Sequence, residues 1–186
     1  MATLLKSLPG GHVNLPDEEG RTPIMFAAIS GHVPLTKLLI SAGADPGWKD
    51  NDFKTALHLA VDNNHEIVVK HLLETGVDIE VQDAYLSTPL LRAAEMGYED
   101  ILKLLLDRGA NIEVKDQNSW TPLFWVTYEG HRTAAKLLID AGANLESKNG
   151  LWNWTPLRMA IRQQDKSIIS LLVQEGAQRS WWHHLL

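Results

Sequence analysis

The 186-residue chain contains no cysteine, and this absence excludes several classes of protein. Disulfide scaffolds, zinc sites with Cys ligands and thiol-based catalysis all need the missing side chain. Long apolar runs are also lacking, since no segment approaches the ~18 consecutive apolar residues of a membrane-spanning helix. The first residues lack the charged and apolar regions of a secretory signal peptide. We therefore expect a soluble, intracellular protein.

An excess of positive charge is lacking as well. The chain has 17 Lys and Arg against 23 Asp and Glu, which gives a net charge of −6. Because nucleic-acid binding and binding to anionic membrane surfaces both need surplus Lys and Arg, neither kind of partner is expected. Phe and Tyr are scarce, with three of each, whereas Trp occurs seven times. The Trp content is the one unusual feature of an otherwise ordinary globular composition.

A period of 33 residues organises the chain. Thr followed by Pro or Ala recurs with spacings of 33, 33, 33 and 34, at Thr22, Thr55, Thr88, Thr121 and Thr155. An acidic or amide residue leads each unit, at Asp17, Asp50, Asp83, Asp116 and Asn149. A glycine closes each unit, at Gly43, Gly76, Gly109, Gly142 and Gly176. The chain is therefore expected to fold as a repeat array.

The third unit shows how each repeat is expected to fold. Thr88-Pro89 is a helix start, because the hydroxyl accepts early amide hydrogens and Pro lacks an N–H that would be unsatisfied there. Apolar residues at helical spacing follow, Gly97 ends this first helix, and Leu102 to Leu106 fill a second. Gly109 suits a left-handed C-terminal cap. One such helix pair cannot enclose its apolar residues, so a stack of pairs follows.

These residues resemble the ankyrin repeat, whose motif is roughly Asp-x-x-Gly-x-Thr-Pro-Leu-His-x-Ala-Ala-x-x-Gly-His, followed by a Leu-Leu helix and Gly-Ala-Asp. The match is close at 20–32, 54–60, 104–111 and 121–131. The resemblance implies an all-α ankyrin-repeat solenoid of stacked helix–turn–helix units joined by β-hairpin-like turns. It also implies a non-enzymatic module for protein–protein interaction that binds a protein or peptide on its concave face, without cofactor or metal.

The period divides the chain into three predicted parts. Residues 1–16 are a leader or partial N-terminal repeat, 17–178 are the repeat domain, and 179–186 are a C-terminal tail. The five repeats are 17–49, 50–82, 83–115, 116–148 and 149–178. The tail contains Trp181-Trp182, which either covers the last repeat or contacts a partner or a second copy of the chain. Self-association through this tail or through the uncapped first repeat is a further expectation.

The glycine of the hairpin tip is present only in the first repeat. Gly20 is replaced at the equivalent positions by Phe53, Leu86, Ser119 and Asn153. Phe and Leu are strained at positive φ. We therefore expect the tips at Phe53 and Leu86 to depart from the geometry of the family.

The histidines do not form a recognisable metal or catalytic motif. His32, His65 and His131 occupy one repeat-equivalent position, which the resemblance assigns to structural hydrogen bonding. No His pair has the i, i+4 spacing with an intervening Glu that marks a zinc helix. No nucleophile elbow or phosphate-binding glycine loop appears either. The sequence therefore predicts no catalytic residue and no metal ligand.

The resemblance implies that partners contact the hairpin tips and the exposed end of each first helix. The candidate partner-binding residues on these positions are Tyr85, Glu95, Met96, Trp120, Trp125, Tyr128, Glu129, Trp152, Trp154 and Arg162. Over the five repeats these positions hold six acidic and three basic side chains, namely Glu18, Glu19, Asp52, Asp62, Glu95 and Glu129 against Arg21, Lys54 and Arg162. This excess of acidic side chains favours a basic partner. The Trp-rich residues of repeats four and five are expected to be the hydrophobic anchors that hold it.

Several alternatives remain open for the Trp residues. They either pack on one another or form a binding hot spot, where Trp is enriched. The segment from Trp120 to Tyr128 is similar to the ankyrin domains of euchromatic histone-lysine methyltransferases, in which two Trp five apart contribute to a methyl-lysine cage. Trp120 and Trp125 match that cage, but Tyr128 stands where the family has Glu. A histone-tail reader is one alternative, and an enzyme or small-molecule binder built across the groove is another.

Overall fold

The computed structural model describes residues 12–178, in which ten α-helices and one short 3₁₀ helix occur. The Trp181-Trp182 tail and most of the leader lie outside the described residues. The chain divides into two compact units, unit 1 (Met1–Arg92) and unit 2 (Ala93–Leu186).

The ten helices form five consecutive pairs, each joined by a short turn. Unit 1 holds α1 (Pro23–Ile29), α2 (Val33–Ser41), α3 (Ala56–Asp62) and α4 (Glu66–Glu74). The boundary between the units falls within α5 (Pro89–Met96). Unit 2 continues with α6 (Glu99–Asp107), α7 (Pro122–Glu129), α8 (Arg132–Asp140), α9 (Pro156–Gln163) and α10 (Lys166–Gln174). Between residues 12 and 178 no β-strand occurs, so the all-α repeat fold is confirmed.

A threonine precedes the first helix of each pair, as the Thr-Pro motif predicts, and its hydroxyl caps that helix in the third, fourth and fifth repeats. The Thr121 hydroxyl accepts a hydrogen bond from the Phe124 amide at 3.3 Å, and the Thr155 hydroxyl accepts one from the Arg158 amide at 3.4 Å. Pro occupies the first helical position after both caps. These caps satisfy amide groups that have no partner within the helix.

A carboxylate at the head of each of the first four hairpins fixes the shape of that hairpin. In unit 2 the Asp116 Oδ1 atom accepts hydrogen bonds from the amides of Asn118 at 2.8 Å and Trp120 at 2.9 Å. The Asp116 amide in turn donates to the Trp120 carbonyl at 3.2 Å. Asp17, Asp50 and Asp83 make the same pair of carboxylate hydrogen bonds in unit 1. One side chain thus fixes each turn, which in a longer hairpin would be held by hydrogen bonds between paired strands.

Neighbouring hairpins are joined by backbone hydrogen bonds. In unit 1 the Asn51 amide donates to the Glu19 carbonyl at 3.0 Å, and the Ala84 amide donates to the Asp52 carbonyl at 2.9 Å. In unit 2 the Gly150 amide donates to the Asn118 carbonyl at 3.0 Å. Consecutive tips within a unit are therefore held at a fixed spacing.

The expectation that the second and third tips depart from the family geometry is wrong. Phe53 and Leu86 have φ angles of 61° and 58°, in the same left-handed region as Gly20 at 81°. The Phe53 amide still donates to the Asp50 carbonyl at 2.9 Å, as the Gly20 amide does to Asp17. The hydrogen bonds to the leading Asp outweigh the local cost of a side chain at positive φ, which is about 1–2 kcal/mol.

The core of each unit lies between successive helix pairs. In unit 1 α1 packs on α3, and in unit 2 α7 packs on α9. Fully buried alanines lie on these helices, for example Ala28 and Ala60 in unit 1 and Ala160 in unit 2. Small side chains let the helices approach closely, while Leu and Ile side chains such as Leu172 fill the remaining space.

Histidine side chains connect one repeat to the next. The His131 Nε2 atom donates to the Glu95 carbonyl at 3.1 Å, and the His65 Nε2 atom donates to the Ile29 carbonyl at 2.9 Å. Each ring lies on a glycine, because a Cβ atom built on Gly97 would approach the His131 ring to 2.7 Å. The structural hydrogen-bonding role expected for this histidine position is confirmed at both residues.

His58 is fully buried in unit 1 and bridges two repeats. Its Nδ1 atom accepts from the Thr55 amide at 3.2 Å, and its Nε2 atom donates to the Ser87 carbonyl at 3.1 Å. Burial lowers the pKa of His58, because the charged imidazolium loses its hydration, and the Ser87 carbonyl offsets only part of this effect. His58 is therefore neutral in the folded protein near neutral pH.

We predict that Phe53→Gly stabilises the protein by about 0.5–1 kcal/mol, since it removes the cost of a left-handed non-glycine residue and adds a smaller cost in chain entropy. Phe53→Ala is the matched control, because it removes the ring but keeps the strain. The free energy of unfolding in urea measures both variants. Equal stabilities of the Gly and Ala variants would contradict the claim of strain at this tip.

We also predict a pH effect that depends on His58. The unfolded chain binds a proton near pH 6.5 and the folded chain only at lower pH, so wild-type stability falls as pH drops below about 6.5. The slope due to this group is at most about 1.4 kcal/mol per pH unit. His58→Met, which copies the equivalent Met25, is expected to lose less stability between pH 7.5 and 5. Parallel pH profiles of unfolding for the two proteins would refute the prediction.

Candidate partner-binding surface

Trp120 lies at the centre of an aromatic cluster in unit 2. Its ring centroid is 4.8 Å from that of Phe124, 4.5 Å from Trp125 and 4.9 Å from Tyr128. Only 8% of Trp120 is exposed. The sequence left packing and a binding role open for this turn residue, and its burial agrees with packing. The Asp116 carboxylate bends the chain so that the Trp120 side chain lies along α7, whose aromatic residues share one face.

The indole of Trp125 is also held in place by Asp116. Its Nε1 atom donates to the Asp116 Oδ2 atom at 3.1 Å, while Oδ1 of the same carboxylate holds the hairpin. The ring of Trp125 is half-buried and meets Tyr128 edge-on, with centroids 6.2 Å apart. The polar group of the indole is thus satisfied within the protein, and the ring is rigid.

The same cluster joins the fourth and fifth repeats. Trp120 and Phe124 form a buried group with Met159 of α9, and Trp125 and Trp154 pack against it. The packing interpretation therefore holds for Trp120, which supports neighbouring rings and offers almost no surface of its own. Trp125 and Trp154 combine packing with partial exposure.

The hairpin of the fifth repeat carries the most exposed large apolar side chains in the described part of unit 2. Leu151 is 73% exposed and Trp152 is 46% exposed. The rings of Trp152 and Trp154 are in contact, with centroids 5.3 Å apart and planes tilted by 37°. This hairpin is one residue longer than the others, since Asn149 accepts from the amide of Trp154, five residues later, at 2.8 Å.

One arginine of α9 borders a ring of this hairpin, and a second arginine lies on the same helix. The guanidinium carbon of Arg158 lies 5.0 Å from the centre of the Trp154 ring, within cation–π distance. Arg162 follows one helical turn later, and both side chains are exposed. We call the group Leu151, Trp152, Trp154, Arg158 and Arg162 the fifth-tip surface. It combines exposed apolar area with two positive charges.

The other predicted contact residues have varied positions. Tyr128 and Met96 are 41% and 39% exposed in unit 2, and Glu129 is exposed at the end of α7. Glu95 is half-buried, and its backbone carbonyl is the acceptor for His131. Tyr85 is 61% exposed on a hairpin of unit 1.

Three exposed apolar residues on the hairpins are not among the predicted contact residues. Phe53 and Leu86 are 56% and 47% exposed in unit 1, and Leu151 is more exposed than any Trp of unit 2 within the described residues. The signal for the first two was present, since a large apolar residue at a glycine position has no role in a core. For Leu151 the signal was the lengthened fifth hairpin.

Ion pairs engage some of the acidic side chains that outnumber the basic ones at the predicted contact positions. In unit 1 Asp62 pairs with Lys54 at 2.6 Å and with Arg92 at 2.8 Å, and Arg21 pairs with Glu19 at 2.9 Å. Burial by itself raises the pKa of the Asp62 carboxyl, but the hydrogen bonds from Lys54 and Arg92 outweigh it and hold that pKa below its usual range. These acids are therefore neutralised within the protein.

Three surface cavities of about 300, 340 and 420 Å³ are found in unit 1, and no Trp lines them. Within residues 12–178 no group of three or more His, Asp or Glu side chains is placed to hold a metal ion. No helix in this part of the chain is long and apolar enough to cross a membrane.

Comparison with known proteins agrees with the repeat architecture. A family model described as ankyrin repeats matches in three copies, over residues 1–83, 43–116 and 90–180. A 40-residue stretch is 48% identical to ankyrin repeat and SAM domain-containing protein 6 of Mus musculus. That stretch is 22% of this chain and 4% of the mouse protein, so the likeness covers a small part of the relative.

We predict opposite outcomes for two Trp substitutions in unit 2. Trp120→Ala removes a buried ring that contacts three others, and we expect a loss of about 3–5 kcal/mol in the free energy of unfolding. Trp152→Ala removes a ring that is half in solvent, and we expect a loss below about 1 kcal/mol. Urea unfolding of the two variants measures the difference. A similar cost at both positions would contradict the division into buried support and exposed surface.

Proposed function

The chain belongs to the ankyrin repeat family, and on this premise we propose that it is a non-enzymatic module that binds a protein or peptide partner through the fifth-tip surface. Ankyrin repeats generally mediate protein–protein interaction. The observation that carries the proposal is the pair of exposed apolar side chains, Leu151 and Trp152, at the tip of the fifth hairpin. We further propose that the protein acts inside the cell.

The area of this surface supports a binding role. An aromatic side chain presents about 150–250 Å² when fully exposed, and Trp152 and Leu151 each leave about half or more of their surface in water. Together with the half-buried Trp154, they approach the ~300–600 Å² of the largest apolar patch on a typical monomer. Patches of this size on a soluble protein commonly mark contact sites.

The support beneath the surface favours tight binding. Trp154 packs against the buried Trp120 and Phe124, and Arg158 lies over its ring. Side chains that are already ordered lose little conformational entropy when a partner binds. Trp and Arg are also enriched among the residues that contribute most to binding energy. Tyr128 and Glu129, exposed at the end of α7, extend the proposed contact area in the same unit.

The methyl-lysine alternative finds no support in the geometry. The centroids of Trp120 and Trp125 are 4.5 Å apart, so the two rings touch and leave no gap for an ammonium group between them. Trp154 already has the guanidinium of Arg158 over its face. Tyr128, which replaces the family Glu, packs on Trp120. An aromatic cage is therefore not proposed.

An enzymatic alternative is likewise not proposed. The three cavities described above lie in unit 1. His58 and His131 each bond a backbone carbonyl of another repeat and so link repeats. Asp116, the buried carboxylate nearest the aromatic cluster, is occupied by three hydrogen bonds.

The test compares partners retained by variants of the full chain. We expect Leu151→Ser and Trp152→Ser, combined in one protein, to lose the proteins that the immobilised wild type retains from cell extract. Ile67→Ser is the matched control, because Ile67 is an exposed apolar residue on α4 of unit 1 with 60% of its surface in water. Circular dichroism checks that all three proteins are folded. Retention of the same proteins by the double variant would overturn the proposal.

A further inference from the structure

We propose that unit 1 carries a second contact surface, formed by the apolar side chains of Phe53, Tyr85 and Leu86 together with the carboxylate of Asp52. We call these four residues the unit 1 tip surface. Its partner is a protein segment in which a Lys or Arg adjoins a large apolar side chain. The surface shares no residue with the fifth-tip surface, so the inference goes beyond the proposed function and assigns the basic partner expected from the sequence to unit 1.

A backbone hydrogen bond brings the second and third hairpins together. The Ala84 amide donates to the Asp52 carbonyl at 2.9 Å. Phe53 follows Asp52 in the chain and Tyr85 follows Ala84, so both rings are attached within one residue of this bond. Leu86 is the next residue after Tyr85 and occupies the same position in the third hairpin as Phe53 in the second. The three apolar side chains therefore stand on adjoining parts of the backbone.

The exposed area of these three side chains is large enough for a contact site. Phe53, Tyr85 and Leu86 keep 56%, 61% and 47% of their surface in water. An aromatic side chain has about 150–250 Å² to bury. Together the three side chains approach the ~300–600 Å² of the largest apolar patch on a typical monomer. Exposed patches of this size commonly mark sites of interaction.

The backbone at two of these residues indicates that their side chains are retained for a purpose outside the fold. Phe53 and Leu86 have φ angles of 61° and 58°, where a side chain carries a steric cost that glycine avoids. Gly20 holds the equivalent turn of the first hairpin with a φ of 81°. Glycine would therefore serve the fold at least as well at both positions. Strain that the fold does not require is typical of functional residues.

Two acidic side chains lie beside the apolar ones. Asp52 is exposed and directly precedes Phe53. The Glu18 carbonyl accepts a hydrogen bond from the Asn51 side chain at 3.1 Å, which places Glu18 next to the second hairpin. Within the described residues neither the Asp52 nor the Glu18 carboxylate forms an ion pair. Both carboxylates are therefore available to a partner.

The basic side chains of these hairpins are engaged within the protein. Arg21 and Lys54 each form an ion pair with an acidic side chain, at 2.9 and 2.6 Å. Lys49 precedes the second hairpin and lines a cavity with two acidic residues that follow α4. The third hairpin, residues 83–88, contains no Lys or Arg. The charge offered beside the apolar side chains is therefore negative, and a basic group of the partner is its complement.

The first hairpin shows the chemistry of such a contact with a residue of its own. The guanidinium carbon of Arg21 lies 5.2 Å from the centre of the exposed Phe26 ring, and an Arg21 nitrogen lies 2.9 Å from the Glu19 carboxylate. A ring and a carboxylate thus hold one cation. Phe53 and Asp52, which are adjacent in the chain, offer the same two groups to a cation of the partner.

The experiment selects ligands from a displayed library of random 12-residue peptides on the full chain that carries Leu151→Ser and Trp152→Ser. This chain lacks the exposed apolar side chains of the fifth-tip surface, so its ligands report on another site. We expect the enriched peptides to carry Lys or Arg beside Leu, Phe, Tyr or Trp. All further variants are made in this same chain.

Glycine at both tips removes the apolar side chains and keeps the turns. Phe53→Gly combined with Leu86→Gly is expected to raise the Kd of the selected peptides at least about tenfold, because two large apolar contacts are lost. The stability of this variant in urea should not fall. Ser119→Gly is the matched control, since Ser119 has a φ of 59° at the equivalent tip of unit 2 and has no apolar side chain to lose. It should leave the Kd unchanged.

Reversal of the charge at Asp52 tests the basic part of the partner. Asp52→Lys is expected to raise the Kd at least about threefold, because an exposed ion pair is replaced by repulsion. Replacing the Lys or Arg of the peptide by Glu should restore binding to this variant. Asp107→Lys is the control, because it makes the same charge change at an exposed position of α6.

Several outcomes would overturn the inference. They are the absence of any enriched peptide, enriched peptides without a basic residue, and undiminished binding to the chain with both glycines. Equal weakening by Ser119→Gly would show a backbone effect, and equal weakening by Asp107→Lys would show a general charge effect, so either would overturn it as well. None of these results bears on the proposed function, because the fifth-tip surface is altered in every chain used and has its own test.

Discussion

The hydrogen bonds accepted by the residue at the head of each hairpin are the interaction on which the rest of the structure depends. In unit 2 the Asp116 carboxylate holds the amides of Asn118 and Trp120 with one oxygen and the indole of Trp125 with the other. A single buried side chain therefore sets the turn, the direction of the following helix and the orientation of the aromatic cluster. In the fifth repeat Asn149 keeps only the bond to the Trp154 amide, and its buried Nδ2 atom has no hydrogen-bond partner. Leu151 and Trp152 lie on this longer hairpin, and both are exposed.

The separation between buried and exposed aromatic rings explains how one cluster serves both stability and binding. Trp120 and Phe124 are buried between α7 and α9, where they support the rings above them. Trp152 lies at the surface and contributes little to the core. Substitutions at the surface ring can therefore change recognition without unfolding the protein. The tips at Phe53 and Leu86 also carry exposed apolar side chains that no core requires. Both residues keep a positive φ despite its energetic cost.

Much of the fold could be predicted from the sequence, whereas the candidate site could be predicted only in part. Repeated Thr-Pro caps and closing glycines predict the helix pairs, because these residues act through local backbone chemistry that is the same in every repeat. Burial of Trp120 was not predictable, since it depends on Met159 and Phe124 from two different helices. The pairing of Asp62 with Lys54 and Arg92 was not predictable either, since these residues meet only after folding. The left-handed φ of Phe53 was not expected, because the steric preference of Phe was considered without the hydrogen bonds that hold the turn.

Amide hydrogen exchange tests the central claim most directly, namely that the fifth-tip surface is the contact face for a partner. Exchange is measured on the full chain alone and again on the chain saturated with a 12-residue peptide that it selects from a random library. Slower exchange confined to the hairpin at 149–154 and to α9 is the result that our account predicts, with the end of α7 affected less. Slower exchange elsewhere, with residues 149–163 unchanged, would contradict it.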